Sequence, residues 1–282
     1  LEAPSARLRQ AALLAVGAVM EGPAEDTARL VAQSFDGLLH AMDSGAATDR
    51  HAAAWAVGRA LELQPAAVPE AARVALFPVC LALLREPEWR EDFTYILHGL
   101  AAVHWPAEQF PAMARRLLEE ASKASPEGRW ALLDALRALV AGAGDGCEPH
   151  CKELLLVLLR QAESSGVAQM DGVGSCLQAL AVRLGSQVAD VAEPMMSLYI
   201  AVLQASHASQ HGIHEETLRA AGALVALPGP RGPTLLAMLW PVLAAALSSI
   251  DHPQACAAGL AVLHEASGSL REGLLPHAEA AL

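Results

Sequence analysis

Two His-Glu pairs, His214 with Glu215 and His264 with Glu265, come nearest to the side chains that metal chemistry needs, because imidazole and carboxylate together suit iron. They fall on helical segments of the same kind, about one repeat apart, and neither half of the chain supplies further pairs to complete a ligand shell. Cys147, His150 and Cys151 bring thiol and imidazole together. Their spacing has no second ligand pair at a usual distance, so a closed tetrahedral zinc site is not supported. No G-x-S-x-G, P-loop, G-x-G-x-x-G or H-E-x-x-H pattern occurs. No nucleophile or general base has a partner implied by spacing. The expectation is a protein that is not an enzyme and holds no metal and no cofactor.

Helices must position whatever these side chains do. With 54% hydrophobic and only 4% aromatic residues, the core has to be built from small aliphatic side chains, which favours helix packed on helix. Runs of β-branched residues with period-two alternation are missing, so the chain reads as all-α. Its organising stretch is RHAAAWAVGRALELQP, 50–65, where Ala53, Ala54, Val57, Ala60, Leu61 and Leu63 form a broad apolar surface at helical spacing. Ala52, Ala54 and Gly58 let neighbouring backbones come close. The same pattern occurs in RQAALLAVGAVMEGP, 9–23, with Gly17 and Gly58 standing 41 residues apart, a period that suits a HEAT or armadillo array.

Periodicity and breakers predict inner helices near 5–20, 50–63, 90–103, 129–142, 170–184, 213–227 and 253–267. Outer helices are predicted near 25–42, 70–85, 111–122, 148–163, 189–205 and 233–249, with a last one from about 270. This is an α-α superhelix of about six full two-helix repeats with a half repeat at each end. No linker divides it, so 1–282 is expected to be one continuous array, with Gly142–Gly146 the clearest flexible loop. The first residue is Leu and both ends fall inside helices, so the chain is expected to be a fragment of a longer solenoid.

A net charge of −12 argues against a nucleic-acid backbone as partner and for basic peptides, although acidity also serves to keep an Ala-rich solenoid soluble. Of five cysteines, Cys80, Cys176 and Cys256 read as small core residues in a reducing compartment. No stretch has the apolar length of a membrane helix, and no signal peptide is seen.

These segments resemble the importin-β (karyopherin-β) family. RQAALLAVGAVMEGP followed by RHAAAWAVGRALELQP is similar to the family's rD-AA---G-ilEGP and rDtAAWtvGricELlP helices. Further on, HGIHEETLRAAGALVAL resembles GVQEDALMAVSTLVEVLG, and HPQACAAGLAVLHE resembles yQVCLAAVGLVGDLC, in the same order. The likeness is strongest over 9–65 and 170–267 and weakest over 105–170. It implies a HEAT solenoid and a nuclear transport receptor moving between cytoplasm and nucleus through the pore. The implied partners are a basic adaptor or cargo segment of the importin-α kind, Ran GTPase, which releases that segment in its GTP form, and Phe-Gly nucleoporins. No nucleic acid and no membrane insertion are implied.

On the same resemblance Trp55 matches an inner-helix Trp that offers its face to Lys and Arg of the adaptor, an attraction of about 0.5 to 2 kcal/mol. Tyr95 stands where the family has a second Trp, and Ala6 where a further one is expected. Glu91, Asp92 and Asp134 add negative charge on the same side. An ordinary core Trp and ordinary solvated acids are the alternatives at each position. The family's N-terminal Ran-binding repeats and acidic loop would precede residue 1, which implies weak adaptor binding and little Ran binding. A scaffold resembling that of a protein phosphatase is the second reading. A di-iron hydroxylase resembling deoxyhypusine hydroxylase is the third, and it needs four His-Glu pairs where two are present.

Overall fold

The computed structural model describes residues 5–44, 46–83, 90–102, 107–165, 172–208, 215–227, 229–249 and 252–270. Among them the chain forms thirteen α-helices and no β-sheet. They are α1 (Ala6–Val19), α2 (Ala24–Ser44), α3 (Ala47–Leu63), α4 (Glu70–Leu83), α5 (Arg90–Ala102), α6 (Phe110–Ala121), α7 (Pro126–Ala141), α8 (Glu148–Ser165), α9 (Val173–Leu184), α10 (Ala192–Ala208), α11 (Glu215–Ala226), α12 (Gly232–Leu247) and α13 (Pro253–Leu270). The expected helix from 270 lies outside the described residues. The chain falls into two compact units, 1–144 and 145–282, and their boundary lies within the Gly142–Gly146 loop.

In the first unit α1, α3, α5 and α7 stack side by side as one row, and α2, α4 and α6 each pack on the row helix that follows them. In the second unit α9, α11 and α13 form the row, covered by α8, α10 and α12 in the same way. Each outer helix and the inner helix after it therefore make one repeat. The described residues hold six such pairs, with α1 as a leading half. This is a HEAT-like solenoid built as its sequence period predicts.

The local causes are plain in α2. Pro23 precedes it, Glu25 and Asp26 in its first turn complement the helix dipole, and Val31, Phe35, Leu38 and Met42 make one fully buried stripe. By contrast α3 is wedged among α1, α2 and α5, so Ala52, Ala53, Ala54, Ala56, Val57, Ala60 and Leu61 are all buried, and Ala keeps the neighbours close. One stripe of α3 turns to the solvent side: His51, Trp55 and Glu62 are exposed there, with the largely covered Arg59 between them. Pro126 opens α7 behind Ser125, whose Oγ accepts from the Gly128 N–H at 3.4 Å.

Two details depart from the expected pattern. Between α9 and α10 the chain runs as a 3-10 segment, Gly185–Val191, because Gly185 takes a positive φ of 54° and ends α9 there. So α10 begins at Ala192, later than the expected 189. Pro78 and Pro241 lie inside α4 and α12, yet both are exposed, as are Val74 and Ala237 one turn earlier. Each proline therefore interrupts the helical hydrogen bonding on the exposed side of its helix.

Candidate partner-binding face

The solvent side of the first unit's inner row carries the candidate residues. Trp55 and Tyr95 are 37% and 38% exposed, neither core nor free surface. Each ring lies over a glycine of the preceding row helix: a Cβ on Gly17 would overlap the Trp55 ring, and one on Gly58 would overlap that of Tyr95. The matched glycines of the sequence thus seat the aromatic side chain of the next repeat. That contact meets each ring along one edge, and both rings stay partly open to water.

Tyr95 is fixed further, since its hydroxyl donates to Glu62 Oε2. The same carboxylate receives Arg59 Nη1 at 3.0 Å, and Arg59 Nη2 reaches Glu21 just beyond α1. The Tyr95 bond, with Arg59 beside it, holds the Glu62 carboxyl below its ordinary range. Partial burial, together with the adjoining Glu62 carboxylate, pushes the Tyr95 phenol up. A second polar link joins α5 to α7, where His98 Nδ1 lies 2.8 Å from Asp134 Oδ2 and Arg137 Nη2 lies 2.7 Å from Asp134 Oδ1. The adjacent His98, and then the hydrogen-bonded Arg137, lower the Asp134 pKa against a partial desolvation that acts the other way. At the opposite edge Arg9 Nε donates to the buried Asp49 at 2.9 Å, tying α1 to α3.

Trp55 on α3, Tyr95 on α5 and Asp134 on α7 stand on three neighbouring row helices. Glu62, two turns along α3 from Trp55, receives the Tyr95 hydroxyl, and His98, one turn from Tyr95, reaches Asp134. Glu91 and Asp92 belong to the first turn of α5, and their side chains lie outside the described residues. Sequence reasoning passed over Arg59, Glu62, His98 and Arg137, which make these links, and the exposed Trp130 on α7. Their signal is the helical stripe itself: 51, 55, 59 and 62 on α3 repeat at the period of a single exposed face.

The metal candidates look different. Cys147 and Cys151 are fully buried at the start of α8, and burial, then the neighbouring Cys147, pushes the Cys151 thiol up to about 11. His264 and Glu265 are exposed on α13, while His214 lies outside the described residues. Among the described residues no three His, Cys, Asp or Glu side chains gather as a metal site would require. No described helix is long and apolar enough to cross a membrane. In the second unit an apolar cleft opens between the Gly185–Val191 segment and the turn before α12, walled by Val188, Ala192, Leu224, Pro230 and Leu235 with Arg231 at its rim.

The family model described as "Importin subunit beta-1-like, TPR repeats" matches residues 107–282. That span takes in nearly all of 105–170, where the likeness of individual motifs is weakest. Among solved structures, importin beta crystallised in ammonium sulfate superposes with a TM-score of 0.85 at 21% identity, covering 99% of this chain and 36% of that one. A Kap95:Nup1 complex gives 0.77 at 22%, covering 99% and 35%. A complex of Kap95p with RanGDP gives 0.71 at 22%, covering 99% and 36%. The chain therefore spans about a third of the length of the importin-β chains that it matches.

Proposed function

The chain belongs to the importin subunit beta-1-like family, and from that premise we propose that it is part of a nuclear transport receptor that binds a basic helical segment of an importin-α-type adaptor or cargo on the solvent side of α1, α3, α5 and α7. The observation that carries this reading is the pair of half-exposed rings, Trp55 and Tyr95, each seated on a glycine and bordered by Glu62 and Glu21. A seated ring does not have to be ordered when a ligand arrives, so less side-chain entropy is lost on binding. Each ring face attracts a Lys or Arg by about 0.5 to 2 kcal/mol. The acidic chain draws such a segment in from a distance.

The related Kap95 structures name Nup1 and RanGDP as bound proteins. By analogy Ran-GTP is the releasing partner, and Phe-Gly nucleoporins are the partners met in the pore. For the latter, the apolar cleft beside Val188 and Leu235 offers walls for a phenyl ring. The working compartments are then cytoplasm, nucleus and nuclear pore.

The test is a pull-down with a Lys- and Arg-rich adaptor helix, alone and with Ran loaded with GTP or GDP. The reading predicts capture of the helix and its loss with Ran-GTP but not Ran-GDP. Capture that ignores the nucleotide would make this piece a binding segment without the release function. No capture of the helix in any condition would favour a HEAT scaffold over a receptor.

A further inference from the structure

The stripe of α3 that carries Trp55 also carries a cation of its own. Arg59 stands one helical turn from Trp55, beneath the two carboxylates that make this face attractive to a basic ligand, and beside the hydroxyl of Tyr95. Its side chain is only 19% exposed, whereas Glu62 and Glu21 are 51% and 66% exposed. A covered guanidinium lies among open acids, and both acids keep faces toward solvent. Ion pairs this exposed are individually weak, so exchanging one cation for another costs little.

We propose that Arg59 is the built-in occupant of the cation site on this face, and that a ligand Arg or Lys binds by competing with it for Glu62 and Glu21. The proposal rests on the binding reading above and assigns to one residue the setting of its strength. Without Arg59 the cluster of Glu21, Glu62 and Arg59 goes from a net charge of −1 to −2. Both carboxylates are then released, while Trp55 and Tyr95 keep their seats on Gly17 and Gly58. With Arg59 present the site selects against single cations and favours a segment that brings several at once. A ligand Arg competes better than a Lys, because its planar fork presents two nitrogens that can bridge the two carboxylates as Arg59 does.

The experiment is a titration of a Lys- and Arg-rich helical peptide into the full chain and its Arg59→Gln, Glu62→Gln and double variants, with thermal melts alongside. One surface charge within a few ångströms of the ligand predicts about a fivefold tighter Kd for Arg59→Gln, with a steeper loss of affinity as salt is added. Glu62→Gln weakens binding, and the double variant loses most of the gain. Arg59→Met keeps the apolar stem along α3, so it shows the same gain even where the amide variant folds poorly. A residue that merely stitches α1 to α3 would lower the melting temperature and weaken the peptide together. Equal or weaker binding by both Arg59 variants, with the wild type binding normally, overturns the role of Arg59 and leaves the binding face standing. A peptide that binds neither the wild type nor any variant contradicts the binding face itself.

Discussion

Asp134 shows how a residue can be read correctly for position and still be read incompletely. Its place on an inner helix follows from periodicity, whereas its pairing with His98 and Arg137 depends on the distance between α5 and α7, which no local spacing encodes. Because its folded pKa lies below the ordinary carboxylate value, its contribution to stability is present above that value and is lost as pH falls through the folded one. Asp134→Asn should therefore cost about 1 kcal/mol near neutral pH and flatten the acid limb of the stability curve below about pH 4. Chemical denaturation across pH measures both. An unchanged acid limb would show that the pairing contributes nothing. In the second unit Tyr199 is fully buried, and its hydroxyl has no hydrogen-bond partner among the described residues. Burial pushes its phenol pKa up. Tyr199→Phe removes a buried group that gains nothing, so it should be neutral or stabilising by about 1 kcal/mol. A loss of that size or more would reveal a partner for the hydroxyl.

At the scale of elements, helices and their order were legible because apolar periodicity and Gly/Pro breaks are local. Each described helix begins and ends within a few residues of its expected bounds. Packing partners were less legible, although the spacing of Gly17 and Gly58 pointed to close stacking. The structure adds what the glycines are for: the neighbouring repeat's side chain occupies the missing Cβ position. The same device recurs in the second unit, where a Cβ on Gly222 would lie 2.6 Å from Val262 Cγ2. Gly222→Ala should destabilise that unit by about 1 to 3 kcal/mol through overpacking, less the helix-propensity gain of up to about 1 kcal/mol. Adding Val262→Ala should recover most of the loss. Failure of that rescue in a double-mutant cycle would place the strain elsewhere.

At the scale of the whole molecule, family and fold agree, and the chain spans about a third of its structural relatives. The resemblance was legible because four short motifs keep their order. The links that organise the proposed face were not, since Glu62 with Tyr95 and His98 with Asp134 join residues that only the stacking of repeats brings together. The central claim is that this face takes a basic helix over seated aromatic rings, and Trp55 tests it most directly. Trp55→Leu keeps an apolar side chain over Gly17 and removes the π face. The measurement is paired calorimetric titration and thermal melting of the wild type and Trp55→Leu with one Lys- and Arg-rich helical peptide. The account predicts a loss of about 0.5 to 2 kcal/mol in peptide binding, with a melting temperature within a few degrees of the wild type. An early-melting variant that binds the peptide normally, once corrected for its folded fraction, would show that Trp55 is packing and that the ligand lies elsewhere.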